Sequence, residues 1–119
     1  MKYAFLWVLM STFALRASAQ HAGAPVSHPK VTFIELGSVR CIPCQKMQKV
    51  IKKVEEKYPK RVKTVFYDVW TPEGKKASEK FVFDLIPTQI FLDENGKEYA
   101  RHVGYFEFEE LEKVLLQKL

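Results

Sequence analysis

Residues 31–44 read VTFIELGSVRCIPC, and the fold follows from how this stretch divides. Val31 to Leu36 is β-branched and almost wholly apolar, the composition of a strand covered on both faces. Gly37 and Ser38 break it. Beyond the cysteines, Met47, Val50, Ile51, Val54 and Tyr58 recur at helical spacing and form one stripe of an amphipathic helix. Pro59 ends that helix, because a residue before proline is driven out of the α region. Cys41 and Cys44 therefore sit where a buried strand passes into a helix. A helix N-terminus offers unpaired N–H groups and a partial positive charge, which together stabilise a thiolate. A thiol so placed holds more of its nucleophilic form. Cys41, ahead of the helix, is expected to be the more exposed and attacking sulfur; Cys44, one turn inside, would resolve the mixed disulfide. Pro43 suits a first helical turn, where its missing N–H is not needed. Arg40 would add to thiolate stabilisation if its side chain folded over the sulfur.

Working outward, Val62 to Val69 is a second strand, and Thr71-Pro72 reads as an N-cap followed by proline at the first helical position. The spacing predicts a helix from there to about Phe83. Ile86-Pro87 interrupts, Thr88 to Leu92 is a third strand, and Asn95-Gly96 is the favoured two-residue hairpin turn into a fourth, Glu98 to Val103. Phe108, Leu111, Leu115 and Leu119 make a last helical stripe. The order β-α-β-α-β-β-α implies parallel pairing in the first half and antiparallel pairing at the hairpin. One mixed four-stranded α/β sheet, with helices on both faces, satisfies it.

The first residues carry a different signal. Lys2, the apolar run Tyr3 to Leu15 and the small residues Ala17-Ser18-Ala19 have the layout of an export signal cleaved after Ala19. The run is short for a permanent span, although a retained anchor is the alternative. Residues 1–19 are then the signal, 20–30 a Gly- and Pro-containing leader, and 31–119 the domain. Of 119 residues, 19 are Lys or Arg and 14 Asp or Glu, a formal charge of +5 that falls to +3 once Lys2 and Arg16 are removed. The remaining lysines are interspersed with glutamates, as on solvated helix faces, and no basic patch with stacking aromatics suggests nucleic acid. A monomer is expected.

Two cysteines in an exported chain usually form a structural bridge. These two enclose too small a loop to restrain the unfolded chain, so they suit a redox switch better than a staple. Zinc would want three or four ligands, and beyond the cysteines there are only His21, His28 and His102. Copper(I) on two thiolates is the least implausible metal site, no metal or other cofactor is required, and the histidines read as incidental. Strand alternation puts Glu35 on the face of Val31 and Phe33, where burial would raise its pKa; the alternative is a strand-end carboxylate facing solvent.

Strand, Glu35, Cys41-Ile42-Pro43-Cys44 opening a helix, Ile86-Pro87-Thr88, the Asn95-Gly96 hairpin and Val103-Gly104 together resemble the thioredoxin family, over Val31 to Leu119. The resemblance implies a minimal thioredoxin fold and thiol–disulfide oxidoreductase activity. It implies that Pro87 is a cis-proline lying against the sulfurs, where the residues alone would suggest an ordinary trans loop proline. It also implies that the Ile86 backbone pairs with an extended substrate, and that Glu35 stands where the family keeps a buried acid, acting through water as general base toward Cys44. Arg40 and Ile42 depart from the family's usual tryptophan and glycine, which bears on partner choice. Trp70, Phe66 and Tyr105 are candidates for a partner groove, or simply for packing. Proline before the second cysteine and isoleucine before Pro87 resemble reducing members. The preferred reading is a periplasmic reductase of disulfides in exported proteins, recharged by a membrane thiol-electron transporter. An oxidase or isomerase, or a copper-holding module, are the alternatives.

Overall fold

A computed structural model of the protein describes residues 26–119; the proposed signal and most of the leader lie outside the described residues. The elements are β1 (Val31–Gly37), α1 (Ile42–Lys57), β2 (Val62–Asp68), α2 (Pro72–Ser78), β3 (Thr88–Leu92), β4 (Glu98–Val103) and α3 (Phe108–Leu116). The four strands form one mixed sheet in the order β2-β1-β3-β4. β1 pairs with β2 in parallel, while β1–β3 and β3–β4 are antiparallel. The expected α/β architecture and element order are both present. Because of these directions, the C-terminal ends of β1, β2 and β4 and the start of β3 share one edge of the sheet.

Alternation along β1 splits the core in two. Val31 and Phe33 point to one face and meet Met47, Val50, Ile51 and Val54 of α1 and Leu111 and Leu115 of α3. Phe33 stacks on Phe91 of β3, with ring centroids 5.1 Å apart. Ile34 and Leu36 point to the other face with Ile90 and Tyr67 of the neighbouring strands, and there the cover is Phe81 and Phe83. Each such side chain contributes about 1.5–3 kcal/mol on burial. The C-terminus of α1 is tied to α3 by Tyr58, whose hydroxyl donates to Glu112 Oε1 at 2.5 Å, and by an ion pair of Lys57 with the same carboxylate.

Two expectations are corrected. The second helix stops at Ser78, well before Phe83. Phe81 and Phe83 are half-buried while Val82 and Asp84 are exposed, an alternation that only extended chain produces. On a helix, residues two apart face away from each other, so packing both aromatics onto the sheet ends the helix. The hairpin also differs. Asp93 C=O accepts from Gly96 N–H at 3.0 Å, Asp93 N–H donates to Lys97 C=O at 2.8 Å, and Gly96 has φ 78°. Asn95 keeps a negative φ, so the loop is the three-residue kind, a turn closed by a left-handed glycine. Asp93 Oδ1 accepts from Asn95 N–H (2.9 Å) and Lys97 N–H (3.0 Å), which holds this longer loop in place of the tighter one.

Candidate active site

The cysteine pair is a disulfide between Cys41 and Cys44, with Cα atoms 5.1 Å apart. Cys41 is the N-cap of α1, in extended conformation (φ −93°, ψ 121°), and its sulfur accepts from the Cys44 N–H at 3.4 Å. The sulfur thus occupies the position usually filled by a capping oxygen, pointed at by the free amides of the first turn. Pro43 lies in that first turn, where no amide is lost. Cys41 keeps 8% of its surface exposed and Cys44 none, the ordering expected for an attacking and a resolving sulfur.

The loop before Cys41 is held by Asp68 at the end of β2. Its carboxylate accepts from Val39 N–H (3.2 Å) and Trp70 N–H (3.1 Å), coupling the two loops that flank the site. Desolvation pushes this carboxyl up, but those two amides, the Ser38 hydroxyl and the Arg40 charge outweigh it and hold it below the usual range. Gln45 adds a bond from Nε2 to Val39 C=O at 2.8 Å. The Arg40 guanidinium lies 5.7 Å from the centre of the Trp70 ring, so the partner it finds is an aromatic face across the loop. Ile42 and Trp70 are exposed beside the disulfide, and Val103 and Tyr105 are exposed at the same sheet edge.

Ile86–Pro87 is a cis peptide, and Pro87 is fixed by its carbonyl, which accepts from Gly104 N–H at 2.8 Å. Leu36 pairs with Thr88, so Pro87 falls opposite Gly37 at the edge that carries the disulfide.

Glu35 is 1% exposed, on the α1-covered face. Gly37, the next residue on that face, has its missing side-chain direction filled by Cys44: a β-carbon there would stand 3.2 Å from Cys44 Sγ. The backbone of Glu35 is therefore one pleat repeat, roughly 7 Å, from the strand position under the resolving sulfur. Burial pushes its pKa up to about 8, against the pull of its hydrogen bond with Gln89. Gln89 Nε2 donates to Glu35 Oε1 at 3.4 Å, and Glu35 Oε2 is buried with no partner among the described residues. Gln89 and its neighbour His102 were not singled out by the sequence as site residues, and His102 read as incidental. Their placement depends on strand register, which hydrophobic patterning leaves open.

A bridged sulfur pair at a helix cap, with a buried carboxyl on the same face of the sheet, is an arrangement suited to thiol–disulfide exchange. The chain belongs to the thioredoxin-like domain family, whose sequence model matches residues 17–119. It is 30% identical over 90 residues to the rice protein "Thioredoxin-like protein HCF164, chloroplastic", covering 76% of this chain and 34% of that one. It is 28% identical over 87 residues to "Putative thioredoxin H10" of Arabidopsis thaliana, covering 73% of this chain and 53% of that one. The chain thus spans a third to a half of the length of these relatives. Among solved structures, oxidised thioredoxin O2 from Arabidopsis thaliana superposes with a TM-score of 0.63 at 26% identity, covering 73% of each chain. A thioredoxin variant from Halobacterium salinarum reaches 0.67 at 18% identity, covering 78% of this chain and 79% of that one, and supports the fold alone.

Proposed function

We propose that the protein is an exported, periplasmic reductase of disulfides in other exported proteins. The observation that carries the chemistry is the contrast between the sulfurs: Cys41 caps the helix with exposed surface, while Cys44 is sealed over Gly37 on the face that holds Glu35. In the reducing direction, the Cys41 thiolate attacks one sulfur of a substrate disulfide. The substrate S–S bond breaks, a Cys41–substrate disulfide forms, and the other substrate sulfur leaves and is protonated by solvent. In the molecules in which Glu35 is ionised, a share that grows as pH approaches 8, Cys44 then gives its proton to that carboxylate through water, and the Cys44 thiolate attacks Cys41 Sγ. The Cys41–Cys44 bond forms as the second substrate sulfur departs, so two electrons have passed from the pair to the substrate.

Pro43 and Ile86 support the reducing direction by resemblance, and Lys2, the apolar run to Leu15 and Ala17-Ser18-Ala19 support export. Ile86, Pro87, Ile42, Pro43 and Arg40 would form the surface that meets an extended substrate segment. A membrane-embedded dithiol carrier would return the electrons. Cys44→Ser tests the reading: it leaves the first step intact and should trap Cys41 in mixed disulfides with exported proteins. Equal trapping by Cys41→Ser would overturn the assignment of roles. Mature protein starting at Gln20 is the expected result of N-terminal sequencing, and an intact Met1 would contradict export by cleavage.

A further inference from the structure

Beside the disulfide runs a polar row that thiol exchange, as written above, does not use. Phe66, Glu35, Gln89 and His102 are register partners across β2, β1, β3 and β4, so their side chains share the α1-covered face. Gln89 has no exposed surface. A buried amide is costly unless both of its ends are paired, and here both are. Its Nε2 faces Glu35 Oε1 at 3.4 Å, and its Oε1 lies 2.7 Å from His102 Nδ1. The imidazole is held flat against Phe106, with centroids 3.9 Å apart and planes 11° from parallel. Phe106 in turn directs its N–H at Met47 Sδ of α1, 3.3 Å away. The ring is therefore clamped with Nδ1 aimed at the amide.

An amide end either donates or accepts, so the two contacts of Gln89 are linked. With Nε2 toward Glu35, its oxygen needs an N–H at His102 Nδ1. Turned over, the amide would face Glu35 with its oxygen, which an ionised carboxylate repels and to which only the protonated acid can donate. A proton on Nδ1 thus favours the amide orientation that supports a charged Glu35. The groups around the row are few. Among the described residues, Cys41 at the cap of α1 and Cys44 within it are bridged and become titratable on reduction, β2 contributes Phe66 and β3 Gln89, and Tyr105 and Glu107 flank the Phe106 that covers the ring.

We propose that His102 is a positioning residue for exchange: its Nδ1–H fixes the Gln89 amide with the N–H toward Glu35, favours the ionised carboxyl and so readies it to take the Cys44 proton. The inference rests on the base role given to Glu35 above and adds the groups that control it.

Two readouts test it on the whole protein. In the unsubstituted oxidised form, nitrogen-15 NMR at pH 9 should find the proton of the His102 ring on Nδ1; a bare Nδ1 with the proton on Nε2 would overturn the proposal. Carbon-13 NMR of the Glu35 carboxyl and the pH profile of substrate-disulfide reduction are then compared across variants. His102→Leu should move the Glu35 midpoint and the step in rate upward together, by about one pH unit for loss of a charge-supporting hydrogen bond. His102→Asn, which returns a neutral N–H donor, should bring both back, and in a Glu35→Gln background the His102 substitutions should be silent. An unmoved Glu35 midpoint in folded His102→Leu, with the rate step still abolished by Glu35→Gln, would sink the role of His102 alone. A rate profile unchanged by Glu35→Gln would remove the base role of Glu35 and this inference with it.

Discussion

Gly37 lies directly under Cys44: a β-carbon at residue 37 would stand 3.2 Å from Cys44 Sγ, 3.3 Å from Cys44 Cβ and 3.3 Å from the Phe66 ring. The strand that ends the buried sheet thus supplies, by lacking a side chain, the space in which the resolving sulfur sits. In an open strand, alanine for glycine would stabilise by lowering the entropy of the unfolded chain. Here the added methyl presses on three atoms of the site. Gly37→Ala should therefore destabilise the oxidised protein, by about 1–3 kcal/mol as for other overpacked positions. Urea unfolding of the oxidised form measures this, and an increase in midpoint would show that the site yields freely.

Gly74 is the more severe case. A β-carbon there would fall 1.8 Å from the carbonyl oxygen of Asp68 and 2.9 Å from the capping hydroxyl of Thr71. The Thr71 hydroxyl both donates to Asp68 C=O (2.8 Å) and accepts from Gly74 N–H (3.0 Å), so cap, strand end and helix start form one knot. Backbone cannot swing aside as a flexible side chain does. Gly74→Ala should lower the thermal midpoint more than Gly37→Ala, and Thr71→Ala, losing the cap, should cost about 1 kcal/mol. A Gly74→Ala protein as stable as the parent would contradict this packing.

The buried acid makes stability fall with rising pH. Glu35 keeps its proton to about pH 8 in the folded chain, against an ordinary value of 4.5. Between these values the unfolded state binds fewer protons than the folded one, so the slope of stability against pH is negative. The loss begins near pH 4.5 and is complete above pH 8, and in total it is on the order of 5 kcal/mol. Glu35→Gln keeps the shape and removes the charge. The variant should match or trail the parent at pH 5 and exceed it at pH 9. Urea midpoints measured at both values, read as the difference between the two proteins, isolate this one group. A difference that does not change with pH would place Glu35 in a far more polar setting.

Helix capping explains why so much of the site was legible in advance. The strand-to-helix junction, the exposure order of Cys41 and Cys44 and the burial of Glu35 all follow from alternation and from the 3.6-residue stripe beginning at Met47. What sequence patterning missed depends on contacts distant along the chain. Gln89 and His102 matter because of which residue of β3 faces Glu35, and apolar alternation does not set that register for polar residues. Asp68 reads as the polar end of a strand until its carboxylate is seen bridging two loops. Phe81 and Phe83 were legible as helical only when their shared sheet face was unknown, and Asp93 displaced the expected turn through two local hydrogen bonds.

The central claim is that Cys41 and Cys44 form a reducing pair. The most direct measurement is the equilibrium potential of their disulfide, titrated against glutathione or dithiothreitol and read by thiol trapping. A value close to that of thioredoxin, about −270 mV, is predicted. A value nearer about −120 mV would make the protein an oxidant and reverse the proposed flow of electrons.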